Sequence, residues 1–126
     1  MREIKFRGMK ANGEWVVGYY LVHIPTDEHK IHYLSKILGM STAIVDKKTV
    51  GQFTGLLDKN GKEIFEGDVL IREDKWIAEV VRRVTEDSSG FNLKYKTRGW
   101  PGFSGFFQLD TLEIIGNIYE NPELIK

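Results

Sequence analysis

The sequence contains no cysteine. That excludes disulfides, thiolate metal sites and cysteine nucleophiles, and it suits a reducing compartment. Net charge is absent too: 18 basic side chains stand against 18 acidic ones. Long-range attraction to nucleic acid or to an anionic membrane is therefore not a property of the whole chain, and only a local patch could supply it. No apolar run approaches the ~20 residues of a membrane helix. Residues 1–6 alternate charged and apolar side chains where a signal peptide would have an apolar stretch. No phosphate-cradling glycine motif is present, neither G-x-x-x-x-G-K-[ST] nor G-x-G-x-x-G between a strand and a helix. Together these absences predict a cytoplasmic chain with no membrane segment and no cofactor.

What is present is β-pattern. Ile4 and Phe6 alternate with Lys5 and Arg7. Trp15, Val17, Tyr19 and Leu21 fall on one face of a strand, with Val16, Tyr20 and Val22 opposite. Phe91, Leu93 and Tyr95 alternate with Asn92, Lys94 and Lys96. This is the period of half-buried antiparallel strands. Further strands are expected at 68–72, 76–84 and about 112–119. Turn chemistry separates them: Asn12-Gly13, Asp58-Lys59-Asn60-Gly61, Glu66-Gly67-Asp68, the polar stretch 86–90, and Asn121-Pro122. Helix is scarce. The one candidate is residues 33–40, where Leu34, Ile37 and Leu38 share a helical face. The expected class is all-β, mainly β: a small barrel with short irregular or helical insertions. A single domain over 1–126 is expected, with a seam near residues 47–50 between an N-terminal hairpin region, 1–48, of less regular pattern, and a strand-rich barrel region, 49–126.

Three segments resemble the YopX family of bacteriophages and prophages of Gram-positive bacteria. The central one runs from Thr49-Val50-Gly51-Gln52-Phe53-Thr54-Gly55 through Asp58-Lys59-Asn60-Gly61 to Glu66-Gly67-Asp68-Val69. The opening Arg2-Glu3-Ile4-Lys5-Phe6-Arg7 with Trp15 and the ending Leu112-Glu113-Ile114-Ile115-Gly116-Asn117-Ile118-Tyr119-Glu120-Asn121-Pro122-Glu123-Leu124 are similar to the family's two ends. The resemblance implies a mostly β fold with an SH3-like part, a phage or prophage origin and a location in the host cytoplasm. It implies no known activity and carries over no catalytic residue.

Candidate chemistry is thin. His23, His29 and His32 lie among Asp27 and Glu28, but a spacing of three points His29 and His32 to opposite faces of a strand. Glu63, Glu66 and Asp68 cluster around Gly67, where shaping the turn explains their residue types. Residues 99–107 gather four aromatics among three glycines, expected to close one end of the barrel. No nucleophile–base pair is visible, so no enzyme is expected. The patch with a functional rationale is basic: Lys94, Lys96 and Arg98 share one strand face, Arg82 lies in the preceding strand, and Trp100 offers a stacking surface. Asp110, Glu113, Glu120 and Glu123 make the C-terminal segment acidic. A basic strand and an acidic tail could meet within one chain or between copies, and a homo-oligomer is expected. The reading is a non-catalytic binding or interaction module with a host or phage protein partner. The alternative is a nucleic-acid-binding accessory protein using Arg82, Lys94, Lys96, Arg98 and Trp100.

Overall fold

The structure, a computed structural model, describes residues 4–35, 37–72, 76–84, 89–95, 103–104 and 111–125. Its contacts divide the chain into two units, Met1–Phe53 and Thr54–Lys126.

Unit 1 is built from hairpins. β1 (Phe6–Met9) turns through residues 10–14 into β2 (Trp15–His23). The turn expected at Asn12-Gly13 is there: Gly13 has φ 87°, and the Asn12 side chain accepts from the Glu14 N–H. β2 pairs with β3 (Glu28–Ser35), and β3 pairs with β4 (Gly39–Ile44). β5 (Asp46–Leu57) returns beside β1, with a register shift between Arg7 and Met9. The order is β4-β3-β2-β1-β5, antiparallel throughout. Paired residues share a face, so one face carries Val16, Ile31 and Ala43. With Val45 they form the unit's core, flanked by Phe6, Tyr20, Tyr33 and Val50.

β3 and β4 occupy most of 28–44, so the described residues of this part form regular hairpins. One expectation for this unit is corrected. No helix spans 33–40: residues 33–35 finish β3, and Gly39, at φ 74°, opens β4. Leu34, Ile37 and Leu38 are all exposed, so their helical spacing reports no buried stripe.

Unit 2 begins inside β5. Its last residues lead through the Asp58–Gly61 turn to β6 (Glu63–Phe65), where the Thr54 hydroxyl donates to the Ile64 carbonyl. β7 (Asp68–Arg72), β8 (Trp76–Val84) and β9 (Ser89–Tyr95) follow as a meander, with the two-residue β10 (Phe103–Ser104) at its edge. β11 (Leu112–Asn117) comes back beside β7, giving the order β10-β9-β8-β7-β11. The expected strands at 68–72 and 76–84 match β7 and β8. Ile64, Leu70, Ala78, Val80, Leu93 and Leu112 make the core. The fold is mainly β, two antiparallel sheets, and among the described residues the strand pairings of each run as an open series. A 3-10 turn, Pro122–Ile125, closes the described chain.

The Asp58 turn fixes one edge of this sheet. Asp58 is buried. One carboxylate oxygen accepts from the N–H groups of Asn60 and Lys62, the other from Ile114 in β11 at 3.0 Å. Lys59 N–H donates to the Leu112 carbonyl. Burial pushes the Asp58 carboxyl up, but the three N–H donors and the Lys62 charge outweigh it and hold the group below its usual range.

Candidate functional site

The basic edge is the first place to test. Arg82 and Lys94 are both exposed. The β8–β9 register pairs Arg82 with Phe91, Val80 with Leu93, and Glu79 with Lys94. Arg82 therefore falls on the strand face of the buried Val80 and Leu93, and Lys94 on the opposite one. The two cations do not converge. Directly across from Lys94 stands an acid. Partial burial pushes the Glu79 carboxyl up, Lys94 draws it down and Glu66 adds to the rise. Lys96, Arg98 and Trp100 lie outside the described residues, as do Asp110 and most of the 99–107 aromatic segment. Of the acidic tail, Glu113 pairs with Lys59 at 3.3 Å and Glu120 accepts from the Asn117 amide. Neither of these contacts reaches the basic strand.

The histidines separate as their spacing requires. His29 pairs across from Val22, on the core side of unit 1. His32 pairs with Tyr19 on the other face and contacts the Thr42 hydroxyl, and His23 contacts Thr26. No group of three metal-ligating side chains occurs among the described residues. His29 does join a constellation that the sequence reading missed. Its Nδ1 meets the Tyr20 hydroxyl, the two rings stack 5.8 Å apart, and Nε2 lies 3.4 Å from the Asp27 carboxylate. Asp27 reaches this position at φ 56°, a left-handed conformation that aspartate tolerates better than most residues. Burial, and secondarily the Asp27 charge, raise the Tyr20 hydroxyl above its ordinary value. A tyrosine shifted that way is a poorer nucleophile. The arrangement clamps the β2–β3 hairpin.

The larger feature is the outer face of the same sheet. Parity puts Val17, Tyr19 and Leu21 of β2 on it, with Leu34 of β3 and Met40 and Ile44 of β4. All six are exposed, Tyr19 by 66% and Leu34 by 74%. The sequence pattern had marked two faces of β2 without choosing between them. The structure buries Val16 and leaves Val17, Tyr19 and Leu21 outside. Space selects that side: a Cβ on Gly8 would lie 2.8 Å from Val45, so the inner face is the tightly packed one. Cations frame the outer face. The Arg7 guanidinium sits 4.6 Å from the Trp15 ring centre, Lys5 stands 4.8 Å from that of Phe53, and Lys30 approaches Glu28 at 3.7 Å. Within the face lies an open groove of about 390 Å³, bordered by Lys5, Val17, Tyr19, His32, Leu34 and Met40. Leu34 pairs with Met40 and both line the groove with Val17, while His32 and Thr42 stand in the row of Tyr19 and Lys30 lies between Leu21 and Ile44. Exposed apolar side chains set among polar ones are a common character of interaction sites.

The chain matches the YopX protein family over residues 5–126. It belongs to the YopX family. Comparison with curated proteins finds no match. Among solved structures, this YopX chain is similar to the crystal structure of protein EF1440 from Enterococcus faecalis. The two share 24% identity, both chains are covered in full (100% of each), and the TM-score is 0.60. At that identity the likeness concerns the fold. Among the described residues of this YopX protein, no helix is long and apolar enough to cross a membrane.

Proposed function

We propose that this YopX protein is a non-catalytic interaction module of phage or prophage origin, acting in the host cytoplasm on a host or phage protein. The observation that carries the reading is the outer face of unit 1, where Val17, Tyr19, Leu21, Leu34 and Met40 are exposed beside a groove. Exposing that much apolar surface costs solubility unless another protein covers it. The SH3-type relationship of residues 49–126 is part of this reading. Its support is the β7–β10 meander with β11 returning beside β7. The test is a photo-crosslinking amino acid at Tyr19 in the infected host, with exposed Lys62 of unit 2 as the comparison site. The expected result is an adduct to one discrete protein from position 19 and none from 62. No adduct from position 19 overturns the reading.

The second reading, a nucleic-acid-binding accessory protein, draws on the exposure of Arg82 and Lys94. Glu79 opposite Lys94 weakens it. Binding to single-stranded oligonucleotides that falls steeply between about 50 and 200 mM salt would support it, since released counterions impose that slope. Absence of binding at low salt removes it.

A further inference from the structure

The edges of the two sheets are treated differently. In unit 2 the outer edge of β11 is plugged, because Asp58 takes the Ile114 N–H and Lys59 supplies the Leu112 carbonyl. Among the described residues, the opposite edge, β10, has two residues. In unit 1 the edge strand β4 has six residues, Gly-Met-Ser-Thr-Ala-Ile. It contains no charge, no proline and no register shift, the devices that keep edges from pairing. No strand pairs with its outer side among the described residues.

The ladder tells which groups point outward. Val45 N–H donates to the His29 carbonyl. Bonding alternates along an antiparallel pair, so Gly39, Ser41 and Ala43 also bond inward to β3. Met40, Thr42 and Ile44 then aim N–H and C=O away from the sheet. The side chains of the same three residues stand on the outer face and are exposed.

We infer that β4 pairs with β4 of a second copy of this chain, antiparallel about a two-fold axis at Thr42. In that register Thr42 faces the second copy's Thr42, and Met40 faces the second copy's Ile44. Each of the three residues gains a backbone donor and acceptor. The row is self-complementary as an isologous contact demands: a neutral centre between two apolar pairs, with no like charges opposed. The two sheets join edge to edge, and the exposed rows of Leu34, Tyr19 and Val17 extend from the junction on one continuous face. The inference deepens the interaction-module reading by naming a second copy as one partner of unit 1.

Sedimentation of the full chain from low to high micromolar concentration tests it. The wild type is expected as a dimer. Thr42→Pro deletes an outward N–H that the β3–β4 ladder does not use, and Thr42→Lys places two ammonium groups face to face. Each is expected to weaken dimerisation by about tenfold or more, roughly 1.4 kcal/mol. The lysine variant keeps the test decisive if the proline variant fails to fold. A monomeric wild type overturns the inference, and so does a dimer that survives Thr42→Lys. A dimer broken by Tyr19→Lys but untouched by Thr42→Lys overturns the edge pairing while sparing the interaction-module reading. Loss of the Tyr19 crosslink to another protein, with the dimer intact, does the reverse.

Discussion

A Cβ placed on Gly18 would lie 2.1 Å from the His32 carbonyl oxygen. Only glycine lets β2 and β3 approach this closely, directly beneath the groove. Gly18→Ala must push backbone aside and is expected to cost roughly 1–3 kcal/mol or more, on the scale of overpacked sites. Gly13→Ala meets open space and suffers only its positive φ, about 1 kcal/mol. Urea midpoints of the two variants check the ranking. Asp58 is the matching polar case. Its folded-state pKa is depressed, so its contribution is present above the unfolded value of about 3.9 and is lost as pH falls through the folded one. Asp58→Asn is expected to lower stability at pH 7 by about 1–3 kcal/mol and to flatten the acid limb of the stability curve. Glu79 has the opposite sign. Its pKa is raised, so stability present below about pH 4.3 is lost as pH rises through the folded value. Glu79→Gln removes that loss and also unmasks Lys94. Equilibrium denaturation against pH reads the first effect. Oligonucleotide binding, if the basic edge has any, should strengthen with the second.

Among the elements, β7 and β8 could be read directly from the sequence. Their core residues Val69, Leu70, Ala78 and Val80 lie in strands bounded by plain turn signals. β3 and β4 could not. Within β3 only Ile31 is buried, and Glu28, Lys30, His32 and Leu34 fill the other face with mixed polarity. No apolar alternation survives, and the chance spacing of Leu34, Ile37 and Leu38 imitates a helix instead. Ile31 nonetheless anchors unit 1. Ile31→Ala is expected to cost about 2–5 kcal/mol, the range for deleting a fully buried branched side chain. Hydrogen exchange should then accelerate across β2, β3 and β4 before it does in β7 and β8. The candidate sites divide the same way. Arg82 of β8 and Lys94 of β9 were visible as composition, but the carboxylate opposite Lys94 depends on pairing register, which composition does not carry. The outer face of β2 was visible as a pattern, yet the more apolar side proved to be the exposed one.

For the molecule as a whole, neutrality matters most. With a sequence pI of about 6.8, little net repulsion keeps copies apart near neutral pH. Added to the uncovered face of unit 1, this predicts that light scattering at fixed concentration is highest near pH 6.8 and falls on either side. The β4 dimer is held by uncharged groups and should persist across the same range. The position of β4 also has a consequence in time. The pairings among β4, β3, β2, β1 and β5 lie within Met1–Phe53, so these strands can pair before synthesis of Thr54–Lys126, which carries the sheet's sixth strand, β6, is complete. An uncharged edge thus leaves the ribosome before the rest of the chain exists. Neighbouring ribosomes on one message would present such edges to each other at high local concentration, and assembly would begin during translation.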